Sequence, residues 1–464
     1  MTGSRKAASE PREVWRDKTV LDGVGREVPG AAGGSGGARG AVGPRDVGAR
    51  DAVGAGNSRA GVSRGFRRAG VAALAVALLV GTSAFGMAAP EVAAAAGVAV
   101  TGQDRRELRE AAQAFVDVGF AGVQLRVRDQ RGDWVGSAGV RKLGETAKPP
   151  TDGRFRVGSV TKTFTSTVVL QLVAEGRIGL DDPAADRLPG FGLDRRITTR
   201  MLLNHTSGLF NYTGEHYPDG TIVLGIPAVG KDWVDNLFRT YRPEELVRFS
   251  LAKPARFEPG TDWSYSNTNY TVAGLLIESV TGRSYAEEVG RRILRPLGLK
   301  GTVAPGSWSG LPGPHAHGYY RYQDAGQWKT IDVTRQDPSL VFAAGDMIST
   351  TADLRTFFSA LNRGDLLPAP LLAEMRTPHP KSGVHRYGLG VFVQDLGCGV
   401  TVVHHNGSAP GGYGAMMYST PDGSKTLTAS VTTGDAAMDP AVEFHKALSG
   451  LVNVVFCGGR AVVS

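Results

Sequence analysis

The chain has 464 residues, 41% of them hydrophobic and 21% charged, a composition that suits a soluble globular protein with a sizeable core. Its net charge of +8 is uneven: residues 1–96 hold 13 Lys/Arg against 8 Asp/Glu, and the remainder has no basic cluster of the kind that tracks phosphates, which excludes nucleic acid as a partner. Two cysteines, Cys398 and Cys457, exclude a disulfide scaffold or a four-cysteine zinc site and leave room for one bridge or for two buried thiols.

Residues 1–63 are rich in Gly, Ala and Arg with few large apolar side chains to bury, and a disordered low-complexity extension is expected there. Arg64–Arg68 (RGFRR) then forms a basic region and Val71–Val80 (VAALAVALLV) an apolar one, and small-residue cleavage sites follow in Ala88–Ala96. Residues 64–96 thus read as a signal peptide and the protein as secreted. The charge-free run Ala69–Pro90 is also long enough to span a bilayer, so an uncleaved membrane anchor is the alternative.

One folded domain is expected over 97–464, its texture starting at about Thr101 with an amphipathic helix over 104–116. A hairpin follows, with strands over 122–128 and 134–140. The other end of the domain mirrors this with strands over 399–405, 413–419 and 426–432 and a helix from Pro440 to about Val455. Strands from both ends can share one antiparallel sheet flanked by terminal helices. Between them the periodicity predicts a mostly helical insertion, with helices over 163–174, 269–280, 285–294 and 351–361. The fold class is therefore α+β.

Three segments in this domain carry candidate chemistry. Ser159 and Lys162 form an S-x-x-K; three residues apart on a helix they share a face, so the Lys162 amine can reach the Ser159 hydroxyl at a helix N-terminus. Tyr265 and Asn267, in Y-S-N, offer a phenol as base and an amide to orient Lys162 or a substrate carbonyl. His405, Gly407 and Ser408, in H-N-G-S, close a strand: His405 offers a cation, Gly407 close substrate approach, and the Ser408 N–H a partner to that of Ser159 in an oxyanion hole. Lys381-Ser382-Gly383 is a rival third segment in a loop. His404 alternates with His405 and should face the other way.

The order nucleophile, Tyr-x-Asn, cation-x-Gly, with separations of 106 and 140 residues, resembles the penicillin-recognising serine enzymes: class C β-lactamases, soluble serine D-alanyl-D-alanine carboxypeptidases and family VIII esterases. Leu202–Leu209 (LLNHTSGL), Phe257–Gly260 (FEPG), Arg295–Leu299 (RPLGL), Ala344–Thr350 (AGDMIST) and Tyr387–Gly390 (YGLG) add to the likeness, which runs from about Val123 to Phe456. The resemblance implies a β-lactamase/transpeptidase-like fold and an acyl-enzyme on Ser159, with cell-wall D-amino-acid peptides, β-lactam-like amides or esters as substrates. A non-turnover penicillin-binding module is a further alternative. No cofactor or metal is implied, and a monomer is expected. Tyr265 and Lys162 both titrate near pKa ~10, so a base at neutral pH needs roughly 4 kcal/mol of help from its surroundings. Lys162 and His405 are the two cations expected near the phenol, and His405 is expected to titrate near neutrality.

One departure bears on substrate. In the carboxypeptidase likeness an arginine that holds the peptide's terminal carboxylate falls near Phe392, where this chain reads Val391–Gln394 (VFVQ); Arg386 is the substitute on offer. His315 and His317 read as a structural loop pair, since no matching carboxylates or H-E-x-x-H accompany them. His205, inside N-H-T-S-G, reads as a residue that fixes a turn.

Overall fold

A computed structural model of the chain describes residues 105–217 and 219–459. The expected extension (1–63) and signal segment (64–96) lie outside the described residues. Helix α1 (Arg106–Asp117) presents Leu108, Ala112 and Phe115 on one stripe, and these are its buried residues. Strands β1 (Phe120–Asp129) and β2 (Gly132–Gly139) form the first hairpin. Helices α2 (Thr161–Ala174), α3 (Asn267–Thr281) and α4 (Thr351–Arg363) lie in the middle of the chain. Strands β3 (Phe392–Leu396), β4 (Val400–Ala409), β5 (Tyr413–Ser419) and β6 (Thr426–Thr433) precede helix α5 (Pro440–Val452).

The six strands form one antiparallel sheet in the order β2-β1-β6-β5-β4-β3, so the two ends of the domain meet where β1 pairs with β6, Leu125 opposite Ala429. The period of two sorts each strand between two cores. Val123, Leu125 and Val127 of β1, with Leu427, Ala429 and Val431 of β6, face Leu108 and Phe115 of α1 and Phe444, Leu448 and Leu451 of α5. Val403 of β4 and Ala415 and Met417 of β5 face the other way, into the core built with α2, α3 and α4. Among the described residues no helix is long and apolar enough to cross a membrane.

Helix α2 is buried nearly all round, eleven of its fourteen residues, although its sequence TKTFTSTVVLQLVA is half polar. Besides Lys162 and Gln171, its polar groups are short hydroxyls that donate to carbonyls. Thr167 reaches back one turn to the Thr163 carbonyl, Thr163 and Ser166 reach the loop carbonyls of Gly390 and Leu389, and Thr165 donates to the Ala343 carbonyl at 2.7 Å. Phe164 stacks on Phe357 of α4 at 3.6 Å between ring centroids. The nucleophile's helix is thereby fixed in the middle of the domain.

The structure departs from the sequence expectation in the insertion, which also holds two hairpins, Gly214–His216 with Ile222–Leu224 and Tyr319–Asp324 with Gln327–Asp332. Much of these strands is exposed, which blunts the alternation by which a strand is recognised. β3 was likewise not predicted, and β4 runs on to Ala409, so the whole H-N-G-S segment is strand. Cys398 and Cys457 form a disulfide that ties the β3–β4 turn to the end of the C-terminal helical segment.

Candidate active site

The nucleophile turn is shaped by two glycines. Phe155–Arg156 pairs with Ile348–Ser349, and the chain then turns through Gly158, at φ +51°, before Ser159 leads into α2. A Cβ on Gly158 would lie 2.4 Å from the Ser408 carbonyl oxygen, and one on Gly407 would lie 2.0 Å from that of Val157 and 2.7 Å from the Ser159 nitrogen. Gly407 therefore makes room for the protein's own nucleophile turn, and the expected close approach of substrate over that glycine is corrected: the space is already filled by backbone. Ser408, half-buried on β4, sits directly against this turn.

Lys162, the next turn of the helix, is fully buried. Its Nζ lies 3.0 Å from Ser159 Oγ and donates to Asn267 Oδ1 at 2.8 Å and to the Ala344 carbonyl at 2.8 Å. None of these is a carboxylate, and burial pushes the amine well below its ordinary range. A neutral amine has two N–H bonds and one lone pair. Asn267 Oδ1 and the Ala344 carbonyl can only accept, so they take both N–H bonds, and the lone pair is left facing the Ser159 hydroxyl. The Ala344 carbonyl is a part of the site that the sequence hid, since a backbone oxygen carries no residue signature.

Tyr265 stands over Lys162, whose Nζ is 4.7 Å from the ring centroid. Burial raises the phenol above its ordinary pKa, with a hydrogen bond to Ser159 as a smaller opposing effect, so Tyr265 is a neutral phenol here. Asn267 is the first residue of α3. Its N–H has no cap from Ser266 and instead donates to Asn211 Oδ1 at 3.1 Å. Asn211, buried, is held in turn by its own N–H donating to Glu215 Oε1 at 2.9 Å, and Arg256 pairs with the same carboxylate.

His405 departs from expectation. It is buried, its Nδ1 is 2.7 Å from the Asn406 carbonyl and so carries the proton, and its Nε2 accepts from the Tyr387 hydroxyl at 3.3 Å. Burial first, then Lys162, lower its pKa to about 3, so His405 is a neutral imidazole near neutral pH and the expected second cation beside the phenol is corrected. His404 faces the opposite side, as predicted, and stacks on Tyr418 at 4.5 Å. Phe392 packs its ring on Tyr387 at 4.6 Å and on His405 at 5.1 Å. Arg386 does not replace a carboxylate clamp: its Nε donates to the Val393 carbonyl at 3.1 Å and it pairs with Asp395 at 3.3 Å. The rival third segment stays apart, with Lys381 exposed and Ser382 donating to the His379 carbonyl of its own turn at 2.6 Å. His315 and His317 are engaged with the Gly313 carbonyl and with Asp332.

An antiparallel sheet with helices on both faces and a serine–lysine pair at the start of a buried helix define a β-lactamase/transpeptidase-like serine hydrolase fold. The sequence profile of the beta-lactamase family matches residues 81–451, and the chain belongs to that family. It is 29% identical over 305 residues to penicillin-binding protein 4* of Bacillus subtilis, an overlap of 63% of this chain and 63% of that relative, so it spans less than two thirds of that protein's length. It is 35% identical over 155 residues to esterase EstB of Burkholderia gladioli, 32% of this chain and 38% of that one. Among solved structures, a D-stereospecific amidohydrolase from Streptomyces sp. superimposes with a TM-score of 0.67 at 39% identity, over 77% of this chain and 99% of that one.

Proposed function

We propose that this chain is an exported, monomeric serine hydrolase that cleaves amides of D-amino acids through an acyl-enzyme on Ser159. The observation that carries the reading is the fully buried Lys162 amine, 3.0 Å from Ser159 Oγ with no carboxylate among its partners. Such an amine is a base at neutral pH, one of the two base assignments the sequence left open. Export is supported by the Arg64–Arg68 and Val71–Val80 pattern and by the disulfide.

In this mechanism Ser159 Oγ attacks the substrate carbonyl while its proton moves to Lys162 Nζ. The backbone N–H groups of Ser159 and Ser408 face the developing oxyanion. The C–N bond then breaks, and the leaving nitrogen takes a proton by way of the Tyr265 phenol, which is hydrogen-bonded to Ser159. Water repeats the sequence on the ester, releasing the acid and restoring Ser159 and a neutral Lys162. Asn267 and the Ala344 carbonyl keep the lone pair of Lys162 aimed at the hydroxyl before each proton transfer.

What supports a neutral amide over a free-acid peptide is the wall opposite the nucleophile. Phe392 stands where the carboxypeptidase likeness needs a cation, Arg386 is committed to Asp395, and His405 is neutral. The D-stereospecific amidohydrolase likeness, which covers nearly the whole of that chain, supports the D configuration.

The test is intact-mass spectrometry with benzylpenicillin, alongside rates on D- and L-amino-acid amides, a D-alanyl-D-alanine peptide and a nitrophenyl ester. We expect D-amides to be cleaved fastest, no acyl adduct on Ser159→Ala, and about a 1000-fold or larger loss in Lys162→Ala. The wild-type rate should fall as pH drops through the depressed pKa of Lys162, because the protonated amine has no lone pair to offer. Full labelling of Ser159→Ala would remove the nucleophile assignment. Equal rates on D- and L-amides would remove the stereochemical one, fast ester cleavage alone would make the chain an esterase, and an adduct that never turns over would make it a penicillin-binding module.

A further inference from the structure

We infer that His205 is a positioning residue that holds Tyr265 in its catalytic pose by gripping the peptide groups on both sides of it. The His205 carbonyl accepts from the Ser264 N–H at 3.1 Å, and its Nδ1 accepts from the Ser266 N–H at 3.2 Å. The imidazole itself lies against the Tyr265 ring, with centroids 4.3 Å apart. One residue thus touches the position before Tyr265, the position after it and the ring between.

The protonation state follows from a second donor. Ser207 Oγ donates to Asn269 Oδ1, so the Asn269 amide turns its Nδ2 toward His205 Nδ1, 3.0 Å away. An Nδ1 that faces two N–H donors has no proton of its own, which makes His205 a neutral imidazole protonated at Nε2. Burial, Lys162 and His405 all act in the same direction. His205 is completely buried, and Tyr270 and Tyr387 cover it at 5.2 and 4.9 Å.

The backbone supplies an independent sign. His205 has φ +64°, in the left-handed region that a non-glycine residue seldom occupies. The surrounding loop enforces it: Thr206 N–H donates to the Met201 carbonyl at 3.0 Å, and the Thr206 carbonyl accepts from Gly260 N–H at 2.8 Å. In this conformation the carbonyl and the ring of one residue both point at the 264–266 segment. A glycine would adopt the backbone but would lose the ring acceptor. Asparagine tolerates the same φ and places an amide oxygen close to the position of Nδ1.

His205 is no catalytic residue in this scheme; its effect passes through Tyr265. The acyl-enzyme reading enters only through the rate readout, so two measurements are paired on the full chain. Hydrogen exchange over residues 263–267 reports the grip directly, and the rate on a D-amino-acid amide reports its consequence. In His205→Gln we expect faster exchange over 263–267 and at least a 30-fold loss of rate, and in His205→Asn exchange close to wild type with a loss under 5-fold. In a Tyr265→Phe background the His205→Gln loss should shrink below 3-fold, which a general loosening of the fold would not produce. Unchanged exchange over 263–267 in His205→Gln overturns the inference whatever the enzyme's substrate proves to be, and so does an undiminished loss in the Tyr265→Phe background. If the wild type cleaves no amide, the amidase reading fails and the exchange comparison still decides the role of His205.

Discussion

On the Ser159 side of the site backbone lies against backbone: the Val157–Val160 turn presses on β4 so closely that Gly158 and Gly407 have no room for a Cβ. On the Tyr265 side the distances are ordinary hydrogen bonds between side chains and amides, His205 to Ser266 and Asn211 to Asn267. The first wall is set by the sheet and the long buried helix, which few single changes can shift without disturbing the core. The second is a loop entering a helix, and its position rests on a few polar contacts that can be removed one at a time. The nucleophile is thus fixed by the fold and the phenol by local bonding, and substitutions on the two walls should behave differently.

Of the supporting residues in the two walls, Gly407 is expected to show the largest effect. In Gly407→Ala the new methyl would meet the Val157 carbonyl at 2.0 Å, and since that neighbour is backbone the strand or the nucleophile turn must move. A displacement of about 1 Å costs on the order of 100-fold in rate when it separates the reacting groups. Gly407→Ala should therefore lose at least about 100-fold in acylation of Ser159 and melt at a lower temperature, as checked by intact mass and calorimetry. A variant that labels at the wild-type rate would show that the turn is more compliant than its packing indicates.

A smaller loss is expected on the other wall. Asn211→Ala removes the acceptor for the first N–H of α3, a bond of the N-capping kind worth about 1 kcal/mol. Asn267, which this bond anchors, is one of the two acceptors that fix the Lys162 amine. A rate loss of roughly 10-fold with a modest drop in melting temperature is the expected outcome, and Asn211→Asp, which keeps an acceptor, should recover most of it. If Asn211→Ala were as damaging as Gly407→Ala, the contrast between the walls would fail.

The same contrast explains what could be read from the chain. Ser159, Lys162, Tyr265, Asn267 and His405 were legible because each is a reactive residue type at a spacing with a mechanical meaning; the structure brings the first four into contact, while His405 meets Tyr387, whose ring lies 6.2 Å from that of Tyr265. The sheet was legible because its strands alternate between two cores. The roles of His205 and Asn211 were not, because each depends on a contact between segments more than 50 residues apart that leaves no local pattern. The state of His405 escaped for a different reason: the sequence places a histidine in the site, but its charge is decided by burial beside Lys162 and by the Asn406 carbonyl. Charge is a property of surroundings, and the surroundings came only with the fold.

The smallest effect on catalysis is expected from the disulfide, far along the same strand that carries the site. Cys398 precedes β4, and from Val400 to Gly407 the strand advances seven residues, about 23 Å at roughly 3.3 Å per residue. Cys398 packs with the terminal-helix core, whereas His405 faces the other side of the sheet. The bridge therefore acts on the closure of the domain and leaves the nucleophile turn alone. It closes a loop of 59 residues, for which the chain-entropy relation gives about 4 kcal/mol of stabilisation. Replacing both cysteines by serine should lower the denaturation midpoint by a corresponding amount while kcat at 25 °C changes by less than about 2-fold. A large fall in kcat with the fold intact would mean that strain travels the length of β4, and that the backbone wall is held in place partly by a covalent tie at its far end.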